Sequence, residues 1–92
     1  MKLFCNFNYM KELCSIQLPY LKYGSATVHI YEYSVKRFGY SQDSPLILYM
    51  VCKANKDGYA KDKDIQKGFY TLGQAVHFAE NKYMLKINLK GR

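Results

Sequence analysis

The chain has 92 residues, a formal charge of +7, three Cys and no Trp. That length predicts a single domain spanning residues 1–92, burying roughly two-thirds of its unfolded surface. The longest apolar run, Leu46 to Cys52, is seven residues, far too short for a membrane span. Cys5, Cys14 and Cys52 form no C-x-x-C pair and have no His at ligand spacing, so no structural zinc site is expected.

Twelve of the fourteen basic residues are Lys; only Arg37 and Arg92 are Arg. This balance favours acidic partners, either nucleic acid or an acidic protein face. A solvated lysine surface is the alternative reading. Ten Tyr supply apolar rings with polar tips, suited to binding faces and to cores near the surface. The three thiols fit reduced core cysteines of a cytosolic protein. Met1 to Cys5 resembles the start of a leader, but Asn6, Asn8, Lys11 and Glu12 interrupt it too early. A soluble, cytoplasmic protein is therefore expected.

In chain order, Leu3, Cys5, Phe7 and Tyr9 alternate with polar residues and predict an N-terminal strand. Met10 to Leu18 admits two readings. Met10, Leu13, Cys14 and Leu18 share a helix face, whereas Cys14, Ile16 and Leu18 share a strand face. Pro19 ends either one. Tyr20 to Ser25 reads as a turn with two tyrosines. Ala26 to Val35, rich in β-branched and aromatic residues, predicts a strand. Lys36 to Pro45 reads as a loop from its Gly, Ser, Asp and Pro. Leu46 to Cys52 is apolar on both faces and predicts a central strand, antiparallel to the preceding one. Asn55 to Asp64 is a second loop with a turn signal at Asp57-Gly58. Ile65 to Tyr70 predicts a further strand.

Thr71 to Leu89 carries the clearest pattern. Thr71 and Gln74 have the spacing of a capping box. Leu72, Ala75, Val76 and Ala79 form one helical stripe, and Asn81 suits a left-handed stop. Tyr83, Leu85, Ile87 and Leu89 then alternate as a last strand. The fold class expected is α+β: an antiparallel sheet of four to five strands with one short helix packed on one face.

No catalytic constellation emerges. Aligning Gly58 to the glycine of a calcium loop puts Lys53 where the first carboxylate belongs and Asp64 where Glu belongs, so an EF-hand does not fit. Asp62 and Asp64 are two carboxylates ringed by lysines, which reads as a solvated turn. His29 and His77 are the only imidazoles; spacing alone leaves a Cys52–His29 pair open. There is no P-loop, G-x-S-x-G or dinucleotide fingerprint. Neither metal nor cofactor is expected, and no enzymatic activity.

The basic-aromatic loops are the stronger signal. Lys36, Arg37, Phe38 and Tyr40 share the first loop. Lys53, Lys56, Tyr59, Lys61, Lys63 and Lys67 crowd the second. Lysines hold phosphates as point charges and exposed rings stack on bases. Against this, Asp57, Asp62 and Asp64 neutralise part of the second loop.

A short chain rich in Lys, Asn and Tyr, with a Gly68-Phe69-Tyr70-Thr71-Leu72-x-x-Ala75 passage from strand to helix, resembles small phage or mobile-element proteins of the anti-CRISPR type. That resemblance implies a non-enzymatic inhibitor acting in the host cytoplasm. It would bind a host protein or ribonucleoprotein such as a CRISPR effector complex, often where the complex meets nucleic acid. Many such inhibitors are acidic DNA mimics. A basic chain instead implies docking on an acidic protein patch, or contact with guide or target strand. The alternative is a small basic protein that binds DNA or RNA directly and tolerates sequence.

Overall fold

The computed structural model describes residues 7–35 and 46–88, with side chains from residue 10 onward. Four strands form one sheet: β1 (Phe7–Gln17), β2 (Thr27–Val35), β3 (Leu46–Ala54) and β4 (Ile65–Phe69). They lie in the order β1-β2-β3-β4, each pair antiparallel. Connections between sequence neighbours need only turns in such a meander. β3 is an inner strand, as its two apolar faces demand. One helix of three turns, α2 (Leu72–Tyr83), covers one face. The class is α+β, with a four-stranded antiparallel sheet.

The ambiguous stretch from Met10 to Leu18 is strand through Gln17. Ladder partners decide it: Cys14 pairs with Ile30 and Ile16 with Val28. All four side chains join the cluster under α2. Of the N-terminal strand expected from Leu3, only Phe7 onward lies within the described residues. After Leu18 and Pro19, a single helical turn, α1 (Tyr20–Tyr23), closes on Gly24 at φ +62°.

The capping box forms as the spacing predicts. Thr71 Oγ1 accepts from Gln74 N at 3.1 Å, and Gln74 Oε1 accepts from Thr71 N at 3.3 Å. Caps of this kind stabilise a helix by about 1 kcal/mol. Ala75, Val76, Ala79 and Tyr83 are buried against Val28, Ile30 and Val51. The two alanines, each fully buried, have side chains small enough for the helix to lie close to the sheet. Phe69 and Phe78, with centroids 5.3 Å apart, tie β4 to α2.

Two expectations at the end of the chain are corrected. The helix does not stop at Asn81, whose amide instead donates to His77 O at 2.8 Å. It ends at Met84, in the left-handed region at φ 56°. Residues 85–88 are not a strand. Their alternation survives as alternating burial, with Ile87 at 3% exposure. The Ile87 N–H finds the Glu80 carboxylate at 2.9 Å and not a neighbouring strand. Alternation reports which side a residue faces, and a segment can satisfy it while packing without a ladder.

The other face of the sheet carries Tyr33, Met50 and Cys52, all buried. Cys52 and Ala54 pack with Ala60. The Tyr33 hydroxyl accepts from Gly68 N at 3.0 Å, beside the register shift in the β3–β4 pairing. Gly68 adopts φ +88° there, a conformation that costs a side-chain-bearing residue more.

Candidate nucleic-acid interface

The second loop is a folded turn. Asn55 Oδ1 accepts from Asp57 N at 2.9 Å and from Tyr59 N at 3.0 Å. Asn55 N donates to Tyr59 O at 2.9 Å, and Gly58 N to Asn55 O at 2.9 Å. Gly58 sits at φ +81°, where glycine meets no Cβ penalty. An Asn side chain that bonds its own backbone two residues on holds such turns. Ala60 then anchors the loop through its buried methyl, and a single 3-10 turn (Asp62–Asp64) leads into β4.

This turn closes one wall of a cavity of about 260 Å³. Tyr59, Lys61 and Lys63 come from the loop, Lys53 from the end of β3, and Tyr23 from α1. Asn55, Ala26 and Asp64 complete the lining. Lys61, Lys63 and Tyr59 are exposed, with Tyr59 at 55%. Lys53 is more constrained: its Nζ lies 3.8 Å from Asp64 Oδ1 and 5.6 Å from the Tyr23 ring centroid. Tyr23 is half-buried, edge-on to Tyr83 at 6.2 Å. Three lysines thus face one carboxylate, and the loop's other acids, Asp57 and Asp62, lie outside the lining.

Of the ten binding residues expected from sequence, Lys53, Tyr59, Lys61 and Lys63 converge here. Lys56 is exposed on the turn and Lys67 on β4, and neither lines the cavity. Lys36, Arg37, Phe38 and Tyr40 lie outside the described residues. By sequence Tyr23 belongs only to a turn. Its role depends on β1 and β2 bringing residue 23 beside residue 53, for which local sequence holds no signal.

A second concavity lies between α2 and the edge strand β4. It is wide, open and about 920 Å³. Phe69 and Phe78 form its apolar centre, with His77, Asn81 and Lys82 from one helix face. The Lys82 ammonium sits 5.4 Å from the Phe78 ring centroid.

The Cys52–His29 pairing left open by spacing can now be placed. The two residues are cross-strand partners on β2 and β3. His29 Nδ1 bonds Glu12 Oε1 at 2.5 Å, and the imidazole stacks on Tyr31. Cys52, however, is fully buried, and that burial pushes its thiol up to about 11. A nucleophilic cysteine needs an accessible thiolate, which this site does not provide. Among the described residues no group of three or more His, Cys, Asp or Glu could hold a metal ion, and no helix is long and apolar enough to cross a membrane.

Burial also pushes Tyr31 and Tyr83 up to about 12, with the charge of Cys52 adding at Tyr31 and that of Asp64 at Tyr83. The folded state holds these protons longer than the unfolded chain, which releases them at the ordinary values of 9.0 and 10.0. Stability from these groups is therefore full below about pH 9 and falls as pH rises toward about 12. Thermal melts across that window should show a progressive loss. A melting temperature flat to about pH 12 would mean the three groups are not buried as described. Separately, iodoacetamide near neutral pH should modify the fully buried Cys52 only after denaturation.

No family model, characterised protein or solved structure matches this chain. The functional reading therefore rests on the site itself.

Proposed function

We propose that this chain is a non-enzymatic nucleic-acid-binding protein that engages phosphates through the lysine-lined cavity between α1, β3 and the Asn55–Asp64 loop. The observation that carries this reading is the convergence of Lys53, Lys61 and Lys63 with Tyr23 and Tyr59 around one concavity. Two of these lysines are exposed and attached to a hydrogen-bonded turn. Phosphate contacts position a protein on nucleic acid without reading sequence, so the binding is sequence-tolerant. Each neutralised phosphate releases counterions, and affinity falls steeply with salt. Titration with DNA and RNA at two salt concentrations tests the reading. Binding at low salt that weakens steeply supports it. Absence of binding at low salt refutes it.

The open groove between α2 and β4, with Phe69 and Phe78 at its centre, favours a second reading: inhibition of a host nucleoprotein enzyme, in the manner of anti-CRISPR proteins, by direct docking in the host cytoplasm. Apolar patches rimmed by polar residues are a common form of protein-interaction site. In this reading a tagged chain recovers a stable complex from host lysate. That recovery is lost on His77→Glu, an exposed position lining the groove, and kept on Lys61→Glu.

A further inference from the structure

We infer that the cavity takes an unpaired nucleotide of a single strand, its base lying against Tyr59 and its flanking phosphates held by Lys61 and Lys63. This deepens the proposed phosphate-binding function and rests on it. Three observations on the molecule select a single strand over a duplex.

The first is size. Sites that enclose a whole small molecule occupy roughly 300–1,000 Å³, and this one is about 260 Å³. It suits one unit of a polymer whose neighbours run out along the surface. The second is its shape and lining. The space is a recess with an aromatic wall, whereas a duplex backbone is met by a surface of exposed cations and presents no base faces to an aromatic ring. A base enters such a recess only when it is unpaired, and aromatic stacking is the sequence-tolerant way to hold it. The third is the division of labour between the two rings. Tyr23 has Lys22 and Lys53 ammonium groups 5.3 and 5.6 Å from its centroid and packs edge-on against Tyr83. Tyr59 makes no such contacts among the described residues and is 55% exposed. Its backbone is held at both N–H and C=O by Asn55, so the ring projects from a fixed point. Tyr59 is thus the stacking residue and Tyr23 part of the floor.

Lys61 caps the start of the 3-10 turn and Lys63 is its middle residue; both line the cavity and both are exposed. Asp64 is turned toward Lys53, which keeps the remaining carboxylate of the lining engaged with a cation at the back of the recess. An unpaired deoxynucleotide and an unpaired ribonucleotide share the required chemistry, a base face and flanking phosphates.

Fluorescence anisotropy at low salt tests the inference with labelled oligodeoxyuridylate, oligouridylate, an abasic strand of equal length and a hairpin duplex. The base-bearing strands should bind on the order of tenfold to a hundredfold tighter than the abasic strand, the worth of one base–aromatic stack. Tyr59→Ala should abolish that difference, and Tyr59→Phe should keep it. Preference for the deoxyuridylate or the uridylate strand, which differ only at the 2′-hydroxyl, identifies the natural source as DNA or RNA; equal binding means the site accepts either, and all three results support an unpaired nucleotide. Equal binding of abasic and base-bearing strands, or tighter binding of the duplex, overturns the inference and leaves the phosphate-binding reading standing. Failure of every nucleic acid to bind overturns both. A melt of Tyr59→Ala matching wild type shows that the variant is folded.

Discussion

Val76→Asp is expected to abolish the cooperative unfolding transition at room temperature. Val76 is 2% exposed, inside a cluster with Val28, Ile30 and Val51. A carboxylate placed there loses its water and gains no partner, a penalty of several kcal/mol for one ion even after the protein relaxes. Small domains are stable by about 5–15 kcal/mol in total, and a chain of this length sits toward the low end. Val76→Ala is the control. It removes two methyl groups from the core, costs roughly 1.5 kcal/mol and should retain a two-state melt at lower temperature. Circular dichroism melts of both variants decide the matter. A native melt for Val76→Asp would mean that α2 does not depend on this stripe for its attachment to the sheet.

The double charge reversal Lys61→Glu with Lys63→Glu is expected to weaken nucleic-acid binding at low salt by more than tenfold while leaving the melting temperature nearly unchanged. Both residues are exposed, and surface substitutions usually change stability within about ±0.5 kcal/mol. The neutral pair Lys61→Gln with Lys63→Gln is the finer probe. Each lost phosphate contact should lower the salt slope on a single strand by about 0.7, or about 1.4 for the pair. Lys56→Glu lies on the same loop but outside the cavity lining, and should have a much smaller effect. If Lys56→Glu weakens binding as much as the double variant, the loop acts through diffuse charge and the cavity is not the contact point. If neither does, the contact surface lies elsewhere; the sheet face carrying His29 and Tyr31 is the next place to look.

The contrast between these two variants shows which parts of the molecule local sequence encodes. Helix α2 is legible because every signal for it is short-range. Thr71 reaches Gln74 within one turn, and the stripe from Leu72 to Ala79 depends only on helical pitch. The hairpin of β2 and β3 and the Asn55–Gly58 turn are legible for the same reason. The cavity was legible in part. Lys53, Tyr59, Lys61 and Lys63 are close in sequence, and loop composition marked them as basic and aromatic.

The fold class and the location of a basic-aromatic loop follow from residue pattern alone, since period-2 and period-3.6 alternation and turn chemistry act over a few residues. Three outcomes needed tertiary structure. Met10 to Leu18 chose strand over helix because Ile30 and Val28 on β2 offered ladder partners to Cys14 and Ile16. Residues 85–88 kept an alternating pattern without becoming a strand, because a carboxylate on α2 met the Ile87 N–H. The cavity acquired its floor only when α1 brought Tyr23 beside Lys53, thirty residues away in sequence. Each outcome turned on a partner distant along the chain, and sequence pattern specifies the face a residue presents, not the element that will meet it.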